Sequence, residues 1–324
     1  VYYSQQDVEQ AEIYYLKVLE DNPDYVIALR RLGDISLFKA ENFTAKEVEY
    51  YEDAYEYYTK AISITEQFPD LTDQDRIDLR DMRKRKERAW TRIFLAANKE
   101  KEAGNTQRAM EIYELAHKLE PERPEPMIQL KNIYLVDLKD DIKAEQILHQ
   151  LLQKDPDKLE YLMEMGTFYY NKGNYAEAVK YFEKAKPQIP TNIDNLMNIS
   201  ACYYELKDYE KAMSTTKAAL EIEPNNVDLL NNARSIAAQI NDIDQAIFYL
   251  KKLLEIRPNE DDFGLLATYL YNKQDWQELI KYAEQWYNWD KSNKIAVEYI
   301  IWAAQQTGNK QLESKYTAIK KTMP

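Results

Sequence analysis

The sequence predicts an all-α fold, an α-solenoid of stacked antiparallel helix pairs, and three observations predict it. Only 6 Gly and 11 Pro punctuate 324 residues, so long uninterrupted elements are expected rather than many short strands and turns. Prolines recur at Pro121, Pro156, Pro190, Pro224 and Pro258, in steps of 35, 34, 34 and 34. Twelve residues before each stands an alanine: Ala109, Ala144, Ala178, Ala212 and Ala246. Two ladders sharing one spacing mark an internal repeat of helix–turn–helix size.

Each element follows from this unit, which is clearest between Leu162 and Pro190. Leu162, Met165, Gly166 and Tyr169, then Ala178, Phe182 and Ala185, recur at threes and fours and so line one face of each of two helices. The run Asn171–Asn174 (NKGN) separates them, and the proline ends the second. Small residues let the helices approach, and aromatics fill the space beside them. Charged residues make up 31% and hydrophobic ones 45%, with a mean hydropathy of -0.69, the balance of helices with one wet and one buried face. The 27 tyrosines suit a thin structure, because the ring buries while the hydroxyl stays wet.

A 34-residue repeat with this pattern resembles the tetratricopeptide repeat, and most strongly from Ala109 to Pro258. The resemblance implies a right-handed superhelix of stacked antiparallel pairs that binds other macromolecules. At the front, Ala11, Tyr15, Val18 and Pro23 read as a leading half repeat, and Leu29, Leu32 and Gly33 open the next. At the back, Phe263, Leu266, Ala267 and Leu270 lead to Trp276, Leu279, Ala283 and Trp286, one residue short of register. Leu312, Tyr316 and Ile319 close the series, which counts as seven full repeats plus the leading half. Residues 1–43 thus hold the half repeat and the start of the second, 104–258 the regular array, and 259–324 divergent aromatic-rich repeats with a capping helix.

Residues 44–103 break the period. Thr44-x-x-Glu47 and Thr72-x-x-Asp75 resemble helix-start boxes, so two overlong helices are expected at roughly 45–67 and 73–103, the second ending at Gly104. Residues 41–56 hold six acids and one Lys, and residues 76–92 hold eight bases and three acids. Folding back about residue 70 would set Glu56 near Lys84, Glu52 near Arg88 and Glu49 near Arg92. That intramolecular pairing is the reading preferred over a nucleic-acid patch.

Composition excludes several functions. A net charge of -13 argues against nucleic acid as the main partner. The single Cys202, in an apolar run, excludes an internal disulfide and a cysteine zinc cage and reads as a small buried hydrophobe. His117 and His149 each stand alone on a polar flank, six dispersed glycines make no phosphate loop, and no metal-ligand spacing stands out. No catalytic residue, metal or cofactor is expected, and no apolar run is long enough to span a bilayer. The chain begins at Val1, so an export segment is not observable.

The resemblance implies that the first helix of each repeat lines the inner surface. On that register the inner positions include an acidic series, Glu125, Glu160, Asp194, Asp228 and Asp261. They also include an apolar series, Phe94, Ile128, Met163 and Met197, and a tyrosine series, Tyr170, Tyr204 and Tyr271. A peptide carrying Lys or Arg beside apolar side chains would suit them. Each has a plainer account: first-turn acids meet the helix dipole, and Met and Ile pack between helices. Met163, Thr167, Asp228 and Asn232 stand where relatives that grip a C-terminal carboxylate place Lys and Arg, so that activity is not expected. Trp289, read as lying between helices, is a candidate aromatic anchor. Two functions are carried forward: a non-catalytic scaffold binding a partner in its groove, or the accessory repeat region of a longer enzyme or cell-envelope component.

Overall fold

The structure, a computed structural model, describes residues 5–323, without the side chains of Gln5, Gln6 and Thr44. Among the described residues it contains seventeen α-helices and no strand. The helices fall into two compact units, divided between Pro156 and Asp157. The first holds α1 (Gln5–Asp21), α2 (Val26–Asn42), α3 (Glu47–Thr65), α4 (Asp73–Glu102), α5 (Thr106–Leu119), α6 (Glu125–Asn132) and α7 (Asp141–Lys154). The second holds α8 (Leu159–Asn171), α9 (Tyr175–Ala185), α10 (Ile193–Glu205), α11 (Tyr209–Ile222) and α12 (Val227–Gln239). It continues with α13 (Ile243–Ile256), α14 (Glu260–Asn272), α15 (Trp276–Trp289), α16 (Lys294–Gln306) and α17 (Lys310–Thr322).

Each even-numbered helix pairs with the odd-numbered helix that follows, giving eight pairs behind the leading α1 rather than seven. The overlong helices account for the difference, since α3 closes one pair and α4 opens the next. The alanine ladder lies at the crossings: Ala109, Ala144, Ala178, Ala212 and Ala246 are all fully buried. At three of the crossings the space is filled by a matched pair of side chains. A Cβ at Gly166 would lie 2.5 Å from the Phe182 ring, and one at Gly33 would lie 2.7 Å from that of Tyr58. One repeat after Gly166, Ser200 and Thr216 replace that pair, with hydroxyls 2.6 Å apart and Ser200 donating to the Ala212 carbonyl at 3.0 Å. A buried hydroxyl needs such a partner, so the two members of a pair must change together.

The turns inside the pairs share one device. Gly104, Lys139, Gly173, Lys207, Asn241, Gln274 and Gly308 all have positive φ, and each is followed by Asn or Asp. At α8 the Gly173 amide donates to Tyr170 and the Asn174 amide to the Tyr169 carbonyl, both at 2.9 Å, which closes the helix end. Asn174 then accepts from the Glu177 amide and starts α9. The turn after α6 departs by one residue. Residues Ile133–Asp137 form a π-helical turn, and the Asp140 amide reaches back six residues to Tyr134, where Asn174 reaches back five. The extra residue of the 35-residue step sits there. The shortfall near the C-terminus lies in the α13–α14 connection: cap residues Asp242 and Asn259 are 17 positions apart, whereas Asp208 and Asn226 are 18 apart.

The irregular region departs from expectation in its charges. Helix α4 starts in the expected box, with the Asp75 amide donating to Thr72 Oγ1 at 3.2 Å and the Thr72 amide to Asp75 at 2.9 Å. Helix α3 starts differently, after a 3-10 turn over Thr44–Lys46, with Lys46 at the cap position and no side-chain cap bond. The pairing of Glu49, Glu52 and Glu56 with Lys84, Arg88 and Arg92 is not formed. Arg85 meets Asp34 at 2.7 Å and Arg88 meets Glu41 at 2.5 Å, both on α2, while Arg83 meets Glu66 at 2.5 Å and Lys86 meets Glu120 at 3.1 Å. Asp78 and Asp81 hold Arg30 of α2 at 2.7 and 3.3 Å. Helix α4 therefore turns its charged flank to α2, and buries Leu79, Met82, Trp90 and Ile93 instead.

Candidate partner-binding face

The even-numbered helices of the second unit share a stripe set by distance from the capping residue of the following helix. Positions 14, 11, 7 and 4 before that residue recur on one side of a helix. They read Glu160, Met163, Thr167 and Tyr170 on α8, then Asp194, Met197, Ala201 and Tyr204 on α10. They continue as Asp228, Asn231, Ser235 and Ala238 on α12, as Asp261, Gly264, Thr268 and Tyr271 on α14, and as Ile295, Glu298, Trp302 and Gln305 on α16. The structure thus brings the candidates Glu160, Met163, Tyr170, Asp194, Met197, Tyr204, Asp228 and Tyr271 onto equivalent positions of one unit. Glu125 and Ile128 begin the corresponding stripe on α6 of the first unit.

Charge and burial alternate along this stripe. Glu160, Asp194, Asp228 and Asp261 are exposed, and among the described residues none has an ion-pair partner. Each sits in its helix's first turn, where the helix dipole favours a carboxylate. Met163 and Met197 are half-buried. Tyr170 packs edge-on against Tyr175 with ring centres 5.3 Å apart, and Tyr204 does the same against Tyr209 at 5.5 Å. Each ring is half-buried, so part of it belongs to the fold and part is open. Burial pushes the Tyr170 hydroxyl above its ordinary pKa, with Tyr175 adding to the effect, so it stays a neutral donor. Between α10 and α12 lies a cavity of about 250 Å³ lined by Ala201, Tyr204, Asn232 and Ser235.

Two aromatic features differ from the sequence reading. Trp289 does not lie between helices. It is the last residue of α15, 52% exposed, and its ring sits 6.1 Å from Phe263. It therefore belongs to an odd-numbered helix, outside the stripe. Trp302, unremarked as an inner position, is 51% exposed and 5.2 Å from Tyr271, and Tyr299 is 6.1 Å from Tyr271. The signal was available, since Trp302 stands 34 residues after Thr268. Elsewhere Phe94 is half-buried and stacks on Trp90 at 5.6 Å.

The remaining reactive side chains are accounted for by packing. Burial pushes the Cys202 thiol up to about 11, which suits the buried hydrophobe read from the sequence. His117 is half-buried rather than solvated. It borders a cavity of about 310 Å³ with Arg123 and Lys154, and burial together with Lys154 lowers its pKa. Among the described residues no group of three or more His, Cys, Asp and Glu side chains is placed to hold a metal ion, and no helix is long and apolar enough to cross a membrane.

Stacked helix pairs presenting an open stripe of acids, methionines and tyrosines define a helical-repeat interaction protein. Family comparison bears on which kind. Models of the tetratricopeptide repeat match residues 1–62 and 229–260, and a model of the anaphase-promoting complex, cyclosome, subunit 3 matches residues 137–219 and 171–241. The chain carries tetratricopeptide-type repeats, and proteins built of such repeats are in general interaction scaffolds rather than catalysts. No curated protein matches it. Among solved structures it is similar to YrrB, titled a TPR protein with an unusual peptide-binding site, at 19% identity over 56% of this chain and 90% of that one, with a TM-score of 0.44. It is also similar to MamA from Desulfovibrio magneticus RS-1, at 17% identity over 53% and 97%, with a TM-score of 0.44. PilW, a type IV pilus biogenesis factor, is similar at 22% identity over 61% and 92%, with a TM-score of 0.40.

Proposed function

We propose that this scaffold binds a peptide segment carrying Lys or Arg beside apolar residues, along the stripe of its even-numbered helices. The observation that carries the reading is the coincidence of unpaired exposed carboxylates with half-open Met and Tyr side chains, repeated from α8 to α10. Asp228 extends the acidic row, and Tyr271 with Trp302 gives it an aromatic end. Glu125 and Ile128 offer the same pair of chemistries on α6. Carboxylates steer a cation and weaken with added salt. Methionine adapts to a ligand's shape, and tyrosine supplies contact area at low entropic cost. The dipole account of the acids and the packing account of the tyrosines explain part of each residue and leave the rest available.

The competing anchor is Trp289. Synthetic peptides mixing Lys or Arg with Leu and Phe serve as probes, with binding followed by fluorescence anisotropy. Tyr170→Ala with Tyr204→Ala should weaken binding about tenfold, and Trp289→Ala should leave it unchanged. Normal binding by the tyrosine variant together with loss in the Trp289 variant refutes the assignment.

A further inference from the structure

The first unit carries a surface of opposite sign that the repeat does not require. Helix α4 spans 30 residues, whereas α8, α10, α12 and α14 span 13 each. Its first half is the inserted part, and insertions in repeat proteins tend to collect on a binding side. Arg83, Arg85, Lys86 and Arg88 are each engaged by a carboxylate of α2, the α3 end or Glu120, as described above. Arg76, Arg80, Lys84 and Arg92 are exposed and, among the described residues, have no ion pair. In a chain with 56 acids to 43 bases, leaving these cations without a partner is notable, because acids are never far away.

Geometry groups them. Arg76, Arg80 and Lys84 follow at four-residue intervals, turning about 40° per step and about 80° in all, and so share one flank, whereas Arg92 lies about 160° round the helix from Arg76. Ile77, 49% exposed, borders the same flank. The carboxylates of α4 between residues 74 and 90 are committed elsewhere: Asp78 and Asp81 to Arg30, Asp75 to the helix cap, Glu87 to Arg123. Asp73 remains in the first turn, where the dipole holds it.

We propose that this flank of α4 docks an acidic polypeptide segment, an amphipathic helix with Asp or Glu at every fourth position and aliphatic residues between. From Arg76 to Lys84 the row runs about 12 Å, so the segment needs roughly two to three helical turns. Its carboxylates meet Arg76, Arg80 and Lys84, and its aliphatic side chains cover Ile77. Nucleic acid fits less well. A long polyanion would extend past the short basic row onto a chain whose net charge is -13, whereas one short helix touches only the row.

The test uses the full chain and a labelled synthetic helix of Glu, Ala and Leu with Glu at four-residue spacing, followed by anisotropy. Arg76→Glu, Arg80→Glu and Lys84→Glu together should weaken binding at least about tenfold, and added salt should weaken binding to the unsubstituted chain. Reversal of Lys217, Lys294 and Lys310 should leave it unchanged. The residues changed are solvent-exposed, and circular dichroism confirms that each variant keeps its helices. A neutral Arg76→Gln, Arg80→Gln, Lys84→Gln variant should lie between. No binding by the unsubstituted chain, equal binding by the reversed variant, or tighter binding of duplex DNA through the same three residues overturns the proposal. Because the probe is acidic, either outcome is independent of the basic-peptide reading for the second unit.

Discussion

Gly166 and Phe182 show how little room a single side chain has in this array. With a Cβ only 2.5 Å from the ring, Gly166→Ala forces Phe182 off its rotamer and costs roughly 1–3 kcal/mol, read as a lower midpoint in urea unfolding. A midpoint unchanged from the parent would show that the ring can yield. The alanine ladder was readable from sequence because a helix crossing leaves no alternative to a small side chain. The exchange of a Gly–Phe pair for a Ser–Thr pair was not readable, since each half makes sense only beside the other. Tyrosine follows the same rule of paired need. Tyr58 donates to Asp34 at 2.7 Å and Tyr113 to Asn98 at 2.6 Å, and burial raises the Tyr113 hydroxyl to about 12.

Helix α3 shows what the corrected charge pairing costs. Burial first, and then Glu56, raise both Glu52 and Asp53 above the ordinary carboxylate range. A folded-state pKa above the unfolded one means the folded protein holds the proton more tightly. The associated stability is complete below the unfolded value and is lost as pH rises through the raised one. Glu52→Gln with Asp53→Asn should therefore raise the melting temperature at neutral pH, with the gap closing toward acid pH. A variant that melts lower than the parent at neutral pH would contradict this. The boundaries of α3 and α4 were visible in the sequence to within two residues, for α4 because its capping box is local, although the box read at Thr44 is not formed. Their partners were not, because the side a helix turns to each neighbour is decided by the whole packing. The turns behaved likewise: glycine announced three left-handed positions, while Lys139, Lys207, Asn241 and Gln274 adopt the same conformation without announcing it.

Across the whole molecule, periodicity was the readable property and surface allocation was not. The stripe of the second unit could be named in advance because its spacing repeats, whereas Trp302 and the open flank of α4 belong to single repeats. The π-helical turn at Ile133–Asp137 carries a consequence for inheritance. One residue added inside a helix advances everything after it by about 100°, exchanging wet side chains for dry ones through the rest of that helix. Bulging at the helix end confines the addition to Leu135 and Val136, which are pushed out to solvent at 39% and 66% exposure. The gene can thus gain or lose a codon here without disturbing the phase of later repeats. Removing Val136 should yield a protein with the parent's helix content and a single cooperative melt, whereas removing Thr167 from the middle of α8 should not. If both deletions melt alike, the bulge is not what absorbs the extra residue.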